Sequence, residues 1–297
     1  MAVIATGFFD GVHSGHRLVI DTLLSEARRR GEQSLVVSFR PHPRAVLQSG
    51  ADSLRYLTAA SEKDAILRAL GVDAIETLPF TREFASLSAG EYISLLQERF
   101  GCTCLVLGYD TRFGREQAGP SDIVALASKM GLDAVVAPPV LLDGAPVSST
   151  RIRAALEAGD VALASRMLGR PYSLQGVVVA GNRLGRTIGF PTANMQLYEP
   201  LMCIPRGGVY STRVQLPEEG RPLPERKDLR AMTNIGVRPT VGGGGALTIE
   251  TYILDFGEMI YGLDITVEFV SRIRDERRFP SMEALRSQLQ ADLSAVA

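Results

Sequence analysis

The stretch Gly7-Phe8-Phe9-Asp10-Gly11-Val12-His13-Ser14-Gly15-His16 constrains this chain more than any other. It follows the apolar run Val3-Ile4-Ala5 and leads into a segment with helical spacing: Leu18, Ile20, Leu23, Leu24 and Ala27. A strand therefore meets a helix across a turn that holds three glycines and two histidines. In an α/β sheet that junction lies at the carboxyl end of a strand, where ligands bind. The glycines let a phosphate approach the backbone, and the first helical turn offers free N–H groups and a positive dipole end. His13 and His16, three residues apart, face the same phosphate. A tight turn with surface histidines is the plainer reading. It is disfavoured because the chain has only three histidines in 297 residues and two of them lie here.

The same alternation continues. Strands are expected at Ser34–Phe39, Ala74–Leu78, Cys104–Leu107 and Ala134–Ala137. Helices are expected at Ser61–Leu70 (Ser61 as N-cap, Gly71 past its end), Ser88–Phe100 and Ser121–Met130. Nearly all-apolar strands between helices predict a doubly wound parallel sheet covered on both faces. Polar clusters follow the strands, among them Arg40-Pro41-His42-Pro43-Arg44 and Gly108-Tyr109-Asp110-Thr111-Arg112. Neither a Walker loop nor a dinucleotide fingerprint is present. Val147-Ser148-Ser149-Thr150-Arg151-Ile152-Arg153 opens a helix running to about Ala158. Hydroxyls at a helix start are first of all caps. Hydroxyls followed by two arginines on one turn also suit a triphosphate, gripped by dipole, hydroxyl and guanidinium together.

A chain of this length is long for one core, and its texture changes after Gly169-Arg170-Pro171. The expected domains are 1–170 and 171–297. In the second, short β-rich runs alternate with turns: Gln175–Val179, Gly208–Val214, Arg230–Asn234, Leu247–Leu254 and Ile265–Val270. They predict a small antiparallel β-barrel, closed by a C-terminal helix at Ser281–Leu293. The Pro-, Glu- and Arg-rich segment between Leu216 and Asp228 reads as an exposed hairpin loop. Gly181, Gly185 and Gly189, with Arg186 among them, suit a flap whose amides face phosphates. Thr192 and Asn194, two apart in extended chain, point to one side and offer a hydroxyl and an amide oxygen to Mg²⁺. A Thr- or Asx-stabilised turn would explain them without a metal. Glu250 and Tyr252 alternate onto one strand face, where a carboxylate could take a proton from an alcohol. The run Phe269–Phe279 is rich in charge and reads equally as a salt-bridged loop or as a contact for a ligand.

Composition narrows the partners. With 32 basic and 33 acidic residues the net charge is −1, which speaks against nucleic acid and membrane surfaces. Cys102, Cys104 and Cys203 form no disulfide framework, which suits a cytoplasmic protein, and Cys102 and Cys104 read as buried thiols. No apolar run reaches the roughly 20 residues of a membrane helix. Small molecules are the expected partners, with the chain a monomer or weak homo-oligomer.

Gly-Phe-Phe-Asp-Gly-Val-His-Ser-Gly-His, Phe-Arg-Pro-His-Pro and Ser-Ser-Thr-Arg-Ile-Arg resemble the amino-terminal module of bacterial bifunctional riboflavin kinase/FAD synthetase. Gly-Arg-x-x-Gly-Phe-Pro-Thr-Ala-Asn, the run Asn234–Thr240, and Glu250 before Asp255-Phe256 resemble its riboflavin kinase module, in the family's order. The resemblance covers nearly the full chain. It implies that riboflavin is phosphorylated to FMN by ATP with Mg²⁺, and FMN then adenylylated by ATP to FAD with release of pyrophosphate. It implies an adenylyltransferase ATP site of Gly7, Phe8, Asp10, Gly11, His13, Gly15, His16, Ser149, Thr150, Arg151 and Arg153. Asp110 and Arg112 would lie in a nucleotide or flavin loop, where Thr111 replaces an expected aromatic residue. In the kinase, Gly181, Gly185, Arg186, Gly189, Thr192 and Asn194 would bind ATP, the last two through the metal. Glu250 would be the base, with Tyr252 and Arg274 at the flavin. Two other readings remain open from the sequence: a kinase alone, or a flavin-binding protein without turnover.

Overall fold

The computed structural model describes residues 1–47, 54–181, 185, 188–217, 227–238 and 246–296. Arg186 and most of the expected hairpin loop, residues 218–226, lie outside the described residues, as do Pro239 and Thr240. The chain divides into two compact units, Met1–Ser149 and Thr150–Ala297. This division comes earlier than the change of texture near residue 170. Helical spacing ends at 170, but compactness follows tertiary contacts, and the two helices before that point belong with the second unit.

In the first unit, strands β1 (Ala2–Thr6), β2 (Gln33–Arg40), β3 (Ala74–Pro79), β4 (Cys102–Gly108) and β5 (Asp133–Ala137) form a parallel sheet ordered β3-β2-β1-β4-β5. The helices are α1 (Ser14–Arg30), α2 (Pro43–Leu47), α3 (Ala60–Ala69), α4 (Arg82–Ala85), α5 (Ala89–Phe100) and α6 (Pro120–Lys129). Alternation along β1 sends Ala2 and Ile4 to one face, against Tyr92, Ile93 and Leu96 of α5 and Ile123 and Ala127 of α6. Val3 and Ala5 go to the other, against Ile20, Leu23 and Leu24 of α1 and Leu67 of α3. Both faces are covered, as an all-apolar parallel sheet requires. The strand order reverses at β1 and β4, so the loops after these strands border the crevice where such sheets bind ligands. A hairpin of β6 (Leu141–Leu142) and β7 (Ala145–Pro146) completes the unit.

Local signals account for most helix ends. Ser88 and Glu91 form a reciprocal capping box at α5, whose far end is Gly101 in the left-handed conformation. The expected cap of α3 is not used. The helix starts one residue earlier, with Ala59 at the N-cap and no side-chain cap, and Ser61 lies inside its first turn.

The second unit holds α7 (Ser149–Ala158, whose first residue closes the first unit) and α8 (Val161–Leu168). Its closed antiparallel barrel contains β8 (Tyr172–Val179), β9 (Ala193–Leu197), β10 (Gly208–Leu216), β11 (Lys227–Arg238), β12 (Ala246–Ile253) and β13 (Asp264–Arg274). Their order around the barrel is β10-β11-β12-β9-β8-β13. The period of two is explicit in β8, where buried and half-buried residues alternate along the strand. β9 was not expected as a strand: its sequence follows a proline and lacks β-branched residues, and pairing with β8 and β12 makes it one. The last helix, α9 (Met282–Leu293), is capped by Ser281, whose hydroxyl accepts the Ala284 N–H. Among the described residues no helix is long and apolar enough to cross a membrane.

Three buried threonines run across the barrel. The Thr233 hydroxyl lies 2.8 Å from that of Thr212 and 3.0 Å from that of Thr251. Removing only the central hydroxyl leaves both neighbours short of a partner, whereas replacing all three removes the polar need altogether. Thr233→Val is therefore expected to cost about 1–3 kcal/mol in urea unfolding of the barrel. Replacing Thr212, Thr233 and Thr251 together by valine is expected to recover most of that loss. A triple variant less stable than the single one would contradict this account.

Candidate active sites

The turn after β1 is held in a conformation that its sequence does not favour. Phe9, Gly11 and Val12 have φ of 55°, 86° and 38°. For β-branched Val12 such an angle is strained, and strain of this kind persists only where the surroundings enforce it. The enforcement comes from Asp10, which is buried and accepts the backbone N–H groups of Leu57 (2.9 Å) and Thr58 (3.3 Å). Thr58 accepts the Gly11 N–H through its hydroxyl, and Ser149 donates its hydroxyl to the Asp10 carbonyl. Gly7 donates its N–H to the Val37 carbonyl.

The two histidines divide the work. His13 is the N-cap of α1, its Nδ1 accepting the His16 N–H at 3.3 Å. A neutral His13 ring therefore carries its proton on Nε2. The rings of His13 and His16 stack with centroids 3.6 Å apart. Gly15 allows this, since a Cβ there would stand 3.2 Å from the His13 ring. Nδ1 of His16 is buried and has no hydrogen-bond partner among the described residues. Burial above all, then the nearby His13 and Lys63, hold the His16 pKa well below the usual imidazole value.

The other residues of the sequence reading have the following surroundings. The Phe8 ring packs against His42 at 4.1 Å and Tyr56 at 5.9 Å. Thr111 accepts the Gly108 N–H at 2.8 Å and closes the loop after β4. Asp110 and Arg112 are exposed on that loop, and Arg112 bonds back to the Gln117 carbonyl. Thr150, Arg151 and Arg153 lie at the start of α7, in the second compact unit, with both arginines half-buried. Sequence reasoning missed Lys63. Its buried ammonium donates to the Phe8 carbonyl (3.1 Å) and the Ser38 hydroxyl (2.7 Å), and sits over the Phe8 ring. A lysine at helical spacing in α3 gives no sign of such a destination.

The second site is built on the barrel wall. In register, Glu250 of β12 stands opposite Asn194 of β9 on one side and Asn234 of β11 on the other. Directly paired residues of antiparallel strands share a face, so three polar side chains form one row. The Thr192 hydroxyl lies 3.4 Å from a Glu250 carboxylate oxygen. Gly181 packs on the Asn194 amide so closely that a Cβ there would stand 2.3 Å away. A cleft of about 390 Å³ opens on this row. Tyr252, Phe190, Arg274 and the apolar Met282, Leu285 and Leu289 of α9 line it, with Gly185 at its edge. A second cleft, of about 280 Å³, is lined by Val178, Pro191, Ile253, Phe256, Met259 and Tyr261, and also by Thr192. Thr192 thus borders both clefts. Neither the second cleft nor Asn234 was picked out as a site from the sequence. Gly189 sits beside Phe190 with φ 84°, and no side chain of it marks a site.

A family model described as FAD synthetase matches residues 1–151, and one described as riboflavin kinase matches residues 168–297. A curated relative from Pseudomonas fluorescens, a bifunctional riboflavin kinase/FMN adenylyltransferase, is 38% identical across 99% of this chain and 91% of its own. The protein of that name from Escherichia coli K12 is 37% identical across 98% and 90%. The chain belongs to the bifunctional riboflavin kinase/FMN adenylyltransferase family. A solved structure from Streptococcus pneumoniae, titled a macrolide-efflux protein, superposes with a TM-score of 0.91 at 32% identity, covering 99% of this chain and 93% of that one.

In this family member all three cysteines are buried and none is in a disulfide, and burial pushes the Cys102 thiol up to about 12 and that of Cys104 up to about 11. Cys102 and Cys104 are, as expected, buried thiols, and inert ones. The lowered His16 pKa has a measurable consequence. The unfolded chain takes up this proton near the ordinary imidazole value of 6.5, while the folded chain does not. Stability present above that pH is therefore lost as pH falls below it, until the folded pKa is passed. Between about pH 7 and pH 5 the thermal midpoint of the wild type is expected to fall more steeply than that of His16→Gln. Parallel curves would remove His16 as the cause.

Proposed function

We propose that the two domains expected from the sequence act in turn on one flavin: residues 171–297 phosphorylate riboflavin to FMN, and residues 1–170 transfer AMP from ATP to FMN, releasing pyrophosphate. The kinase reading is carried by Thr192, which borders two clefts of different character. Phosphoryl transfer needs two substrates whose reacting ends meet. The larger cleft, with Tyr252, Phe190 and the apolar face of α9, fits the flavin ring. The narrower, apolar slot beside Phe256 and Tyr261 fits a purine. Glu250 sits at the meeting point and would accept the proton of the riboflavin 5′-hydroxyl as its oxygen attacks the γ-phosphate. Arg274 and Tyr252 would orient the flavin.

Thr192 and Asn194 fit Mg²⁺. Their donors are hard oxygens beside a carboxylate, and among the described residues no cluster of three or more His, Cys, Asp or Glu side chains offers a closed metal cage. A Mg²⁺ held by few protein oxygens keeps waters and shares nucleotide phosphates, neutralising their charge. Gly181, Gly185 and Gly189, with Arg186, would cover those phosphates.

In the first unit the neutral His16 imidazole, with its unpartnered ring nitrogen, would donate to an ATP phosphate from the start of α1, beside His13. Gly7, Phe8, Gly11 and Gly15 would shape the backbone around the nucleotide, and Asp10 and Ser149 would hold that shape. Thr150, Arg151 and Arg153 would meet the β- and γ-phosphates, and Asp110 and Arg112 the nucleotide or flavin. No covalent enzyme intermediate is required: an FMN phosphate oxygen attacks the α-phosphate in line and the bond to pyrophosphate breaks. Three buried cysteines, none in a disulfide, support a cytoplasmic location.

Incubation with riboflavin, ATP and Mg²⁺, followed by separation of the flavins, is expected to yield FMN and then FAD. FMN without FAD would defeat the bifunctional reading, and unchanged riboflavin the enzymatic one. Glu250→Gln is expected to lower FMN formation by about 100-fold or more while leaving FAD formation from supplied FMN intact. His16→Ala is expected to do the reverse. Equal loss of both activities in either variant would count against the division of labour.

A further inference from the structure

Helix α9 is unusual in what it buries. Of its twelve residues only Asp292 is buried, at 3% exposure, whereas the apolar Met282, Leu285 and Leu289 face the larger cleft. The acid points inward and the apolar side chains stand at a cleft wall. A buried carboxylate is costly unless it is paired and hydrogen-bonded. Asp292 is paired with Arg274: Arg274 Nε lies 3.0 and 2.9 Å from the two carboxylate oxygens, and Nη2 lies 2.7 Å from one of them. Gln288, one turn earlier, donates to the same carboxylate at 2.6 Å. Arg274 Nη1 donates to the Asp275 carbonyl at 3.0 Å, and the guanidinium lies 5.6 Å from the Phe279 ring. The guanidinium plane is thereby fixed along one whole edge. Of its five N–H donors three are engaged, which leaves two for the cleft that Arg274 lines.

We propose that Asp292 is a positioning residue for flavin binding, aiming the Arg274 guanidinium into the riboflavin cleft from the far end of α9. This rests on the reading of that cleft as the flavin site. A free arginine samples many rotamers and loses them on binding, whereas one held bidentately by a carboxylate is already oriented. Asp292 touches no substrate. Its effect passes through Arg274 alone, and the nucleotide slot beside Phe256 and Tyr261 shares neither residue.

The test is steady-state kinase kinetics on the full chain with riboflavin, ATP and Mg²⁺. Asp292→Asn keeps the shape but removes the charge, and the riboflavin KM is expected to rise about tenfold, as for one misaligned charge-assisted hydrogen bond. The ATP KM and kcat are expected to stay within about twofold. Asp292→Glu is expected to give an intermediate riboflavin KM. Arg274→Ala should raise the same constant, and Arg274→Ala with Asp292→Asn should be no worse than Arg274→Ala, since the two effects act in series. A lower thermal midpoint with an unchanged riboflavin KM in Asp292→Asn overturns the proposal, as does additivity in the double variant. If Arg274→Ala leaves riboflavin binding untouched, the reading of the cleft fails instead. Should Asp292→Asn not fold, Gln288→Leu removes only the second donor to the carboxylate. A rise of about two- to threefold confined to riboflavin then supports the proposal, and an unchanged constant overturns it.

Discussion

A buried carboxylate has to be given hydrogen bonds, and in the first unit that requirement at Asp10 organises everything around the ligand crevice. Asp10 gathers the N–H groups of Leu57 and Thr58, while its own carbonyl takes the Ser149 hydroxyl. Two segments far apart in sequence are thereby tied to one turn. The positive φ angles of Phe9 and Val12 are tolerable only because this anchoring holds them. His13 continues the same function one turn later by capping α1, which leaves His16 as the imidazole with an unused ring nitrogen.

The barrel solves a related problem by a different route. Its polar side chains are arranged by strand register, which places residues of β9, β12 and β11 opposite one another without any side chain having to reach. Asn194, Glu250 and Asn234 form a row because antiparallel pairing puts them there. The barrel interior carries its own polar row, the hydroxyls of Thr212, Thr233 and Thr251. Alternation separates the two: the threonine set bonds within itself, and the row holding Glu250 and Asn234 borders the larger cleft.

Much of this was legible in the sequence, for identifiable reasons. The strand–turn–helix unit at Gly7–His16 shows because period-two and period-3.6 patterns meet at glycines. The Ser281 cap shows because a helix start has a local chemical need that a nearby side chain meets. Thr192, Asn194 and Glu250 stood out as a set because each carries a chemistry suited to phosphate transfer. Ser61 misled because hydroxyls favour the first turn of a helix as well as its cap, and the cap falls two residues sooner, at Ala59. Lys63 and Asp292 could not be found this way. Each looks like an ordinary polar residue of its element, and each derives its place from a partner: Phe8 and Ser38, and Arg274. Asn234 showed only as part of a motif, and its place opposite Glu250 comes from strand register.

By itself the sequence determined the two architectures, most of their elements and which groups are candidates for the chemistry, because periodicity, caps and turn residues act over a few positions. Tertiary structure alone decided which of those groups are anchors and which are left to act. Burial and hydrogen-bond satisfaction depend on residues tens of positions away. Only folding reveals that Asp10 is spent on backbone amides, that His16 keeps a nitrogen free, and that the opening motif serves first to hold its own turn and then to present one imidazole.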